Sequence, residues 1–253
     1  MGRRDEAYNF ARRLHALCGG GELVRKAAAR ELARMDPFDA TELLHELLRL
    51  ARAGDEPSGC ALVAVVAALG LEAAQLPNAA ALRRLARVQS LDSVAALFTA
   101  EPARREYHPG AAAKRDAQAF SDSLGHLKQK ARLTRDPDVL SRLVTVSDPS
   151  VIRNALINPR LTEPLVVRMA ARRPARPEPL VEIWRSPRWS ACHAVRRALA
   201  FNPYLPTGVA AKIVPLLTTT DLSELAGDTA VHPCLREQAG LLLQVAREEQ
   251  GRR

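Results

Sequence analysis

Aromatic residues are scarce in this chain. Phe, Trp and Tyr together make up 4% of its 253 residues, although 47% are apolar. Alanine, leucine and valine carry the apolar share. That suits helices packed through small and aliphatic side chains and disfavours a β-sandwich core. Cysteine is sparse too: Cys18, Cys60, Cys192 and Cys234 stand singly, with no C-x-x-C pair. This excludes the dense disulfide framework of a small secreted domain and predicts reduced, mostly buried thiols. Long apolar runs are also lacking. The longest, CALVAVVAALGL at Cys60–Leu71, falls short of the roughly 20 residues that span a bilayer and predicts a buried core helix. The opening MGRRDEAYNF is charged and no apolar h-region follows it, so no secretory signal is read there. The expectation is a soluble, cytoplasmic protein without membrane association.

Catalytic signatures are missing as well. There is no G-x-S-x-G, no Ser/His/Asp order and no phosphate-cradling glycine loop. The glycines of CGGGE (18–22) lack the lysine and following Ser/Thr of a P-loop, so the stretch reads as an interhelix turn. Acidic residues fall mostly at helix starts, where capping and first turns favour them. No acid/base pair stands out. The sequence therefore predicts a protein that is not an enzyme, with no cofactor and no small-molecule substrate.

What the chain has is positive charge in one place. The formal net charge is +9. Residues 1–100 carry 13 basic and 12 acidic side chains, whereas the window 126–197 alone carries 15 basic and 6 acidic, net +9. Most of this excess is arginine. Arginine-rich composition also follows from GC-rich coding, which lowers the functional weight of the excess.

The N-terminal half reads as successive helices. Val24, Ala28, Leu32 and Met35 share one helical face. In MDPFDATELLHELLRLARAG, Asp39 and Glu42 have capping-box spacing, Leu43, Leu44, Leu47, Leu48 and Ala51 form an apolar stripe, and Gly54 is a stop signal. DEPSG is a turn before the helix at 60–71, and shorter helices are expected around Ala80–Val88 and Asp92–Phe98. Residues 100–122 lose the periodicity and read as a linker or irregular connection.

From Ser123 the pattern tightens, and one phrase is written twice. INPRLTEPLVVRM begins at Ile157 and FNPYLPTGVAAKI at Phe201, so Asn158-Pro159 aligns with Asn202-Pro203 at an offset of 44 residues. Proline disfavours the α conformation in the residue before it and cannot continue a helix. Asn-Pro is therefore a helix-ending corner, with Leu161 placed to pack on Val166 and Thr162 to cap the next helix. Pro206 stands where the first copy has Thr162. Half-period echoes fill the gaps: DPDVLSRLV (136–144) and DPSVIRNAL (148–156), EPLVVRM (163–169) and EPLVEIW (178–184), then DLSELAGD (221–228) with HPCLREQAGLLL (232–243). Short helices spaced by about a dozen residues cannot each bury an apolar face alone, and stacking buries it.

SDPSVIRNALINPRLTEPLVVRMAARRP resembles the leucine-rich-repeat-variant type of α-solenoid, in which D-x-x-V-R-x-x-x-A-x-N-P-x-L-x-x-x-x-L units alternate short and longer helices. It is also similar to HEAT-like repeats. The resemblance covers roughly 123–243 and, more loosely, the N-terminal half. It implies an all-α, right-handed α-solenoid: HEAT-like helix pairs over 1–99, an irregular connection at 100–122, proline-punctuated repeats over 123–245 and a charged tail at 246–253. The original variant family carries an iron–sulfur module with clustered cysteines. This chain has no such cluster, so that cofactor is not carried over.

Two candidate sites emerge. Cys192 and His193 lie about one period before His232 and Cys234, but neither pair has the usual ligand spacing. No metal is expected. The stronger candidate is the arginine set Arg168, Arg172, Arg173, Arg176, Arg185 and Arg188, with Trp184 and Trp189 among them. Arginine beside tryptophan suits phosphate binding, cation–π contact or an interface hot spot. The bland alternative is two core tryptophans under a solvated basic face. Arg196 and Arg197 crowd the same region. Arg153 and Arg197 occupy one repeat position, which points to an internal structural role. The expected function is a non-catalytic protein-interaction scaffold of the bacterial cytoplasm presenting this basic surface to an acidic protein partner. The alternative is sequence-independent binding of duplex nucleic acid by the same surface, and a HEAT-like DNA-repair enzyme is the third choice.

Overall fold

Proline decides where many of these helices begin. A computed structural model describes residues 2–17, 21–71, 79–108, 122–146 and 148–252. Among them are sixteen α-helices, one 3-10 turn and no strand, an all-helical arrangement consistent with a helical repeat protein. The chain divides into two compact units, one of residues 1–102 together with 207–253, the other of residues 103–206. The units therefore differ from the consecutive blocks 1–99 and 123–245 expected from the sequence. The last 47 residues pack with the N-terminal helices, a long-range pairing that local periodicity does not encode.

In the first unit, α1 (Arg3–His15), α2 (Gly21–Arg34), α3 (Pro37–Arg52) and α4 (Glu56–Leu71) are followed by α5 (Ala79–Val88) and α6 (Asp92–Leu97). The expected capping box at Asp39 and Glu42 is not how α3 starts. Asp36 is the N-cap and accepts from the Phe38 amide at 2.8 Å, with Pro37 in the first turn. Proline is pre-shaped for that turn and has no N–H to leave orphaned, so the helix begins three residues earlier. Gly54 follows the α3 cap with φ of 82°, the left-handed conformation that glycine adopts without strain. Helix α4 is the apolar stretch 60–71 extended by one turn. Its Leu62, Val65, Val66 and Leu69 are buried, with α1, α2 and α3 packed around it.

Four more elements complete this unit: α14 (Thr207–Ile213), a 3-10 turn (Val214–Leu216), α15 (Thr219–Gly227) and α16 (Pro233–Gly251). Helix α16 packs on α15, α3 and α6, and α14 packs on α4 and α6. Glu249, 2% exposed, fixes the end of α16. Arg49 Nε donates to it at 2.8 Å, Arg4 at 3.1 Å and Arg252 at 3.0 Å. The termini of the unit are thus held to α3 by one buried carboxylate. Arg52, pulled down to about 10 by burial, donates to the carbonyls of Pro215 within the 3-10 turn and Leu217 just beyond it.

The second unit contains α7 (Leu124–Leu133), α8 (Pro137–Leu143), α9 (Pro149–Leu156), α10 (Glu163–Ala170), α11 (Pro177–Arg185), α12 (Pro187–Ser190) and α13 (His193–Ala200). Helices α7, α9, α11 and α13 pack each on the next in that series, and α10 packs on α11 and α13. The Asp-Pro echoes are matching starts. Asp136 accepts from Asp138 N and Val139 N, and Asp148 from Ser150 N and Val151 N, with proline in the first turn of each helix. Thr162 is the N-cap of α10 but its side chain makes no cap bond.

The duplicated Asn-Pro phrase is a three-bond polar staple. Asn158, 1% exposed, donates through Nδ2 to the carbonyls of Ala131 (2.9 Å) and Thr134 (3.0 Å), closing the C-terminus of α7. Its Oδ1 accepts from Arg160 N at 2.8 Å. Asn202, 3% exposed, repeats this on α10. It donates to Ala170 O (2.7 Å) and Arg172 O (3.0 Å) and accepts from Tyr204 N (3.0 Å). A helix leaves its last four carbonyls without intrahelical donors. A side-chain amide, with two donors and one acceptor, satisfies two of them and holds its own turn closed. Gln238 performs part of this job in α16, donating to Ala211 O of α14 at 2.8 Å.

Candidate functional site

The same orphan-carbonyl problem accounts for much of the arginine set. Arg172 donates to Thr145 O just past α8, and Arg173 to Phe201 O at the end of α13. Arg188 donates to Leu161 O at 3.3 Å in the first Asn-Pro corner, and its guanidinium lies 4.3 Å from the Trp189 ring centroid. Arg196 donates to Ser190 O (3.2 Å) and Ala191 O (3.0 Å), and its burial pulls it below the usual guanidinium value. Prolines remove donors while every residue keeps its acceptor, so a proline-punctuated chain of short helices is short of N–H groups. Arginine supplies five per side chain.

Both tryptophans are core residues, each 3% exposed. Trp189 Nε1 donates to Leu156 O at 2.8 Å, while Trp184 Nε1 is buried without a partner. The expected arginine–tryptophan surface thus reduces to its arginines. Arg185 donates to Glu182 at 3.0 Å. Arg153 grips the same carboxylate with two bonds, at 2.7 and 2.8 Å, and together they hold buried Glu182 below the ordinary carboxylate value. Arg197, the repeat counterpart of Arg153, lies 4.9 Å from the Phe201 ring. Of the eight candidate residues, Arg168 and Arg176 are exposed and make no hydrogen bond or ion pair among the described residues.

Arg176 lies in a cleft of about 400 Å³, lined also by Arg105, Glu106, Tyr107, Glu178 and Tyr204. Its guanidinium is 5.9 Å from the Tyr107 ring centroid. The segment 103–108 is not helical. Its Arg105 N–H donates to Pro203 O at 3.0 Å, anchoring it to the second Asn-Pro corner. Tyr107 and Tyr204 are two of the three tyrosines in the chain. That rarity is the one sequence signal that marks them, because 103–108 reads only as connection; the rest of that expected linker, 109–121, lies outside the described residues. The cleft thus joins two guanidiniums, two carboxylates and two phenol rings, and of these arginine and tyrosine are the types enriched at interface hot spots.

The cysteine and histidine pairs have local roles. His232 caps α16, its Nδ1 accepting from Cys234 N at 3.3 Å. The Cys192 thiol lies 3.6 Å from Arg188 O, and burial pushes it up. Among the described residues no group of three or more His, Cys, Asp and Glu side chains is placed to hold a metal ion. Of CGGGE, residues 18–20 lie outside the described residues, and Gly21 and Glu22 open α2. No described helix is long and apolar enough to cross a membrane. Comparison with known proteins returns no match to any family model, curated protein or solved structure.

Proposed function

We propose that the protein is a non-catalytic interaction scaffold of the bacterial cytoplasm, an α-solenoid of HEAT-like and leucine-rich-repeat-variant units, and that its second unit receives an acidic segment of a partner protein. The observation that carries this reading is the cleft in which Arg105 and Arg176 stand beside Tyr107 and Tyr204. Most neighbouring arginines are committed to carbonyls or to Glu182, whereas Arg176 keeps its donors free for a carboxylate. An exposed guanidinium over a tyrosine gives charge complementarity and rigid contact area together.

The test is affinity capture with the intact protein and its Arg105→Glu/Arg176→Glu variant. The expected result is a protein partner that the wild type retains and the variant loses, with helical content unchanged. Equal retention by both proteins removes the cleft from the reading. Duplex nucleic acid is the second reading, favoured by the +9 net charge of residues 126–197. It predicts a gel shift at low salt that fades steeply as salt rises and is independent of sequence.

A further inference from the structure

The first unit carries a second, larger cleft that no sequence motif marks. It is about 550 Å³ in volume, within the range of small-ligand sites. Helix α6 packs on both α5 and α16, and it contributes Asp92, Ala95, Ala96 and, just beyond its end, Thr99 to the lining. Arg83 and Arg87 come from α5, four residues apart and so on one face. From α16 come Cys234, Glu237, Gln238, Leu241 and Gln244.

We propose that this cleft binds a small zwitterion of short-peptide size, its carboxylate held by Arg83 and Arg87 and its ammonium by Asp92 and Glu237. Three observations converge. First, none of these four charged side chains forms an ion pair with another described residue, although all line one cleft. A simple anion would face both carboxylates and a simple cation both guanidiniums. A ligand with one charge of each sign meets partners at both ends. Second, Arg83 Nε and Gln238 Oε1 are buried and have no hydrogen-bond partner. Native proteins rarely leave such atoms unmatched; neither is open to the cleft as the side chains stand, so a polar ligand matches them only where Arg83 and Gln238 turn toward it. Third, Gly240 lies within α16 on the cleft wall, where a Cβ would meet nothing within 4 Å. No close approach of the protein requires glycine there, and its missing side chain widens the cleft. Thr99 and Gln244 add uncharged polar groups to the lining, and Ala95, Ala96 and Leu241 add apolar contact. The sequence reading expects no small-molecule ligand, because these residues come from three helices and meet only in the fold.

The test is calorimetric titration of the full-length protein with trialanine bearing free termini, N-acetyl-trialanine, trialanine amide and inorganic phosphate. The expected result is saturable binding of free trialanine, weakened at least about tenfold by blocking either terminus. Arg83→Gln/Arg87→Gln should abolish binding. Gly240→Leu, which fills the cleft from a position open to a side chain, should do the same with an unchanged circular dichroism spectrum and a thermal midpoint no lower than that of the wild type. Asp92→Asn/Glu237→Gln should bring free trialanine down to the level of its N-acetyl form. No saturation by about 10 mM trialanine would overturn the proposal. Equal binding of the blocked peptides, or phosphate binding as tightly as trialanine, would overturn it as well.

Discussion

The two units meet the cost of helix ends in different ways. The first four helices of the N-terminal unit run 13 to 16 residues and α16 runs 19, whereas no described helix of residues 103–206 exceeds 10. Each helix leaves four carbonyls unpaired at its end whatever its length. Long helices dilute that burden and can rely on apolar burial, as α4 does with Val65 and Val66. Helices of seven to ten residues cannot, and there Asn158, Asn202 and a set of arginines provide the missing donors. Part of the arginine excess is therefore a consequence of short, proline-started helices rather than of a ligand.

The most damaging change should fall on those amides. Asn202→Ala removes donors from two carbonyls and the acceptor of Tyr204 N, and each unmatched buried group costs about 1–3 kcal/mol. A loss of about 3–5 kcal/mol is expected in chemical denaturation. Asn202→Asp sets a buried carboxylate against the same two carbonyl oxygens and should cost at least as much as alanine. If both variants are as stable as wild type, the polar staple is not what holds these helices. In the other unit, Glu249→Gln should cost about 2–3 kcal/mol, because Arg49 loses one of its two carboxylates in a buried setting and keeps only Glu46. Hydrogen exchange should show that cost as faster exchange in α1 and α16, with amides of α9 and α13 unaffected.

A smaller contrast lies within the first unit. A Cβ on Gly208 would stand 2.9 Å from the backbone oxygen of Thr99, whereas one on Gly240 meets nothing. Gly208→Ala should lower stability by about 1–3 kcal/mol through overpacking. Gly240→Ala should raise it by about 0.5–1 kcal/mol through helix propensity. Thermal melts that move both variants in the same direction would contradict this assignment of their roles.

The smallest effects are acid-dependent and also separate the units. Burial lowers His45 below its ordinary value of 6.5. Protonation is then easier in the unfolded chain, so stability present above pH 6.5 is lost as pH falls through the folded value. Arg153 and Arg185 lower Glu182 below its ordinary 4.5. The stability it contributes is present above that pH and is lost only on further acidification, through its own folded value. His45→Gln should flatten the first slope and Glu182→Gln the second. Chemical shifts of each unit followed against pH would reveal an exchange of the two.

Much of the local design is legible in the sequence, and little of the long-range design is. Asp-Pro starts, the Asn-Pro corner, Gly54 and the apolar 60–71 helix follow from chemistry within a few residues of chain. The capping box at Asp39 fails because Asp36-Pro37 offers a better start three residues earlier. The arginines mislead for another reason. Arg172 finds Thr145 and Arg188 finds Leu161 at a separation of 27 residues, and no local pattern distinguishes a guanidinium bound for a carbonyl from one left to solvent. The two clefts are hidden in the same way. One needs 103–108 brought against Tyr204, and the other needs α16 laid beside α6.

One bond bears on how this polypeptide is assembled. Thr207 Oγ1 donates to Pro102 O at 2.6 Å, so the N-terminal unit interrupts itself and resumes at nearly the same point. Residues 103–206 are thus a guest carried within a host fold whose two severed ends already touch. A guest of that kind should be removable, with a short turn from Pro102 to Thr207 in its place and the host's helical content kept in circular dichroism. The cost of closing the loop grows only with the logarithm of its length. A guest that folds first also brings the ends of its host together, which makes the tail from Thr207 onward easier to dock.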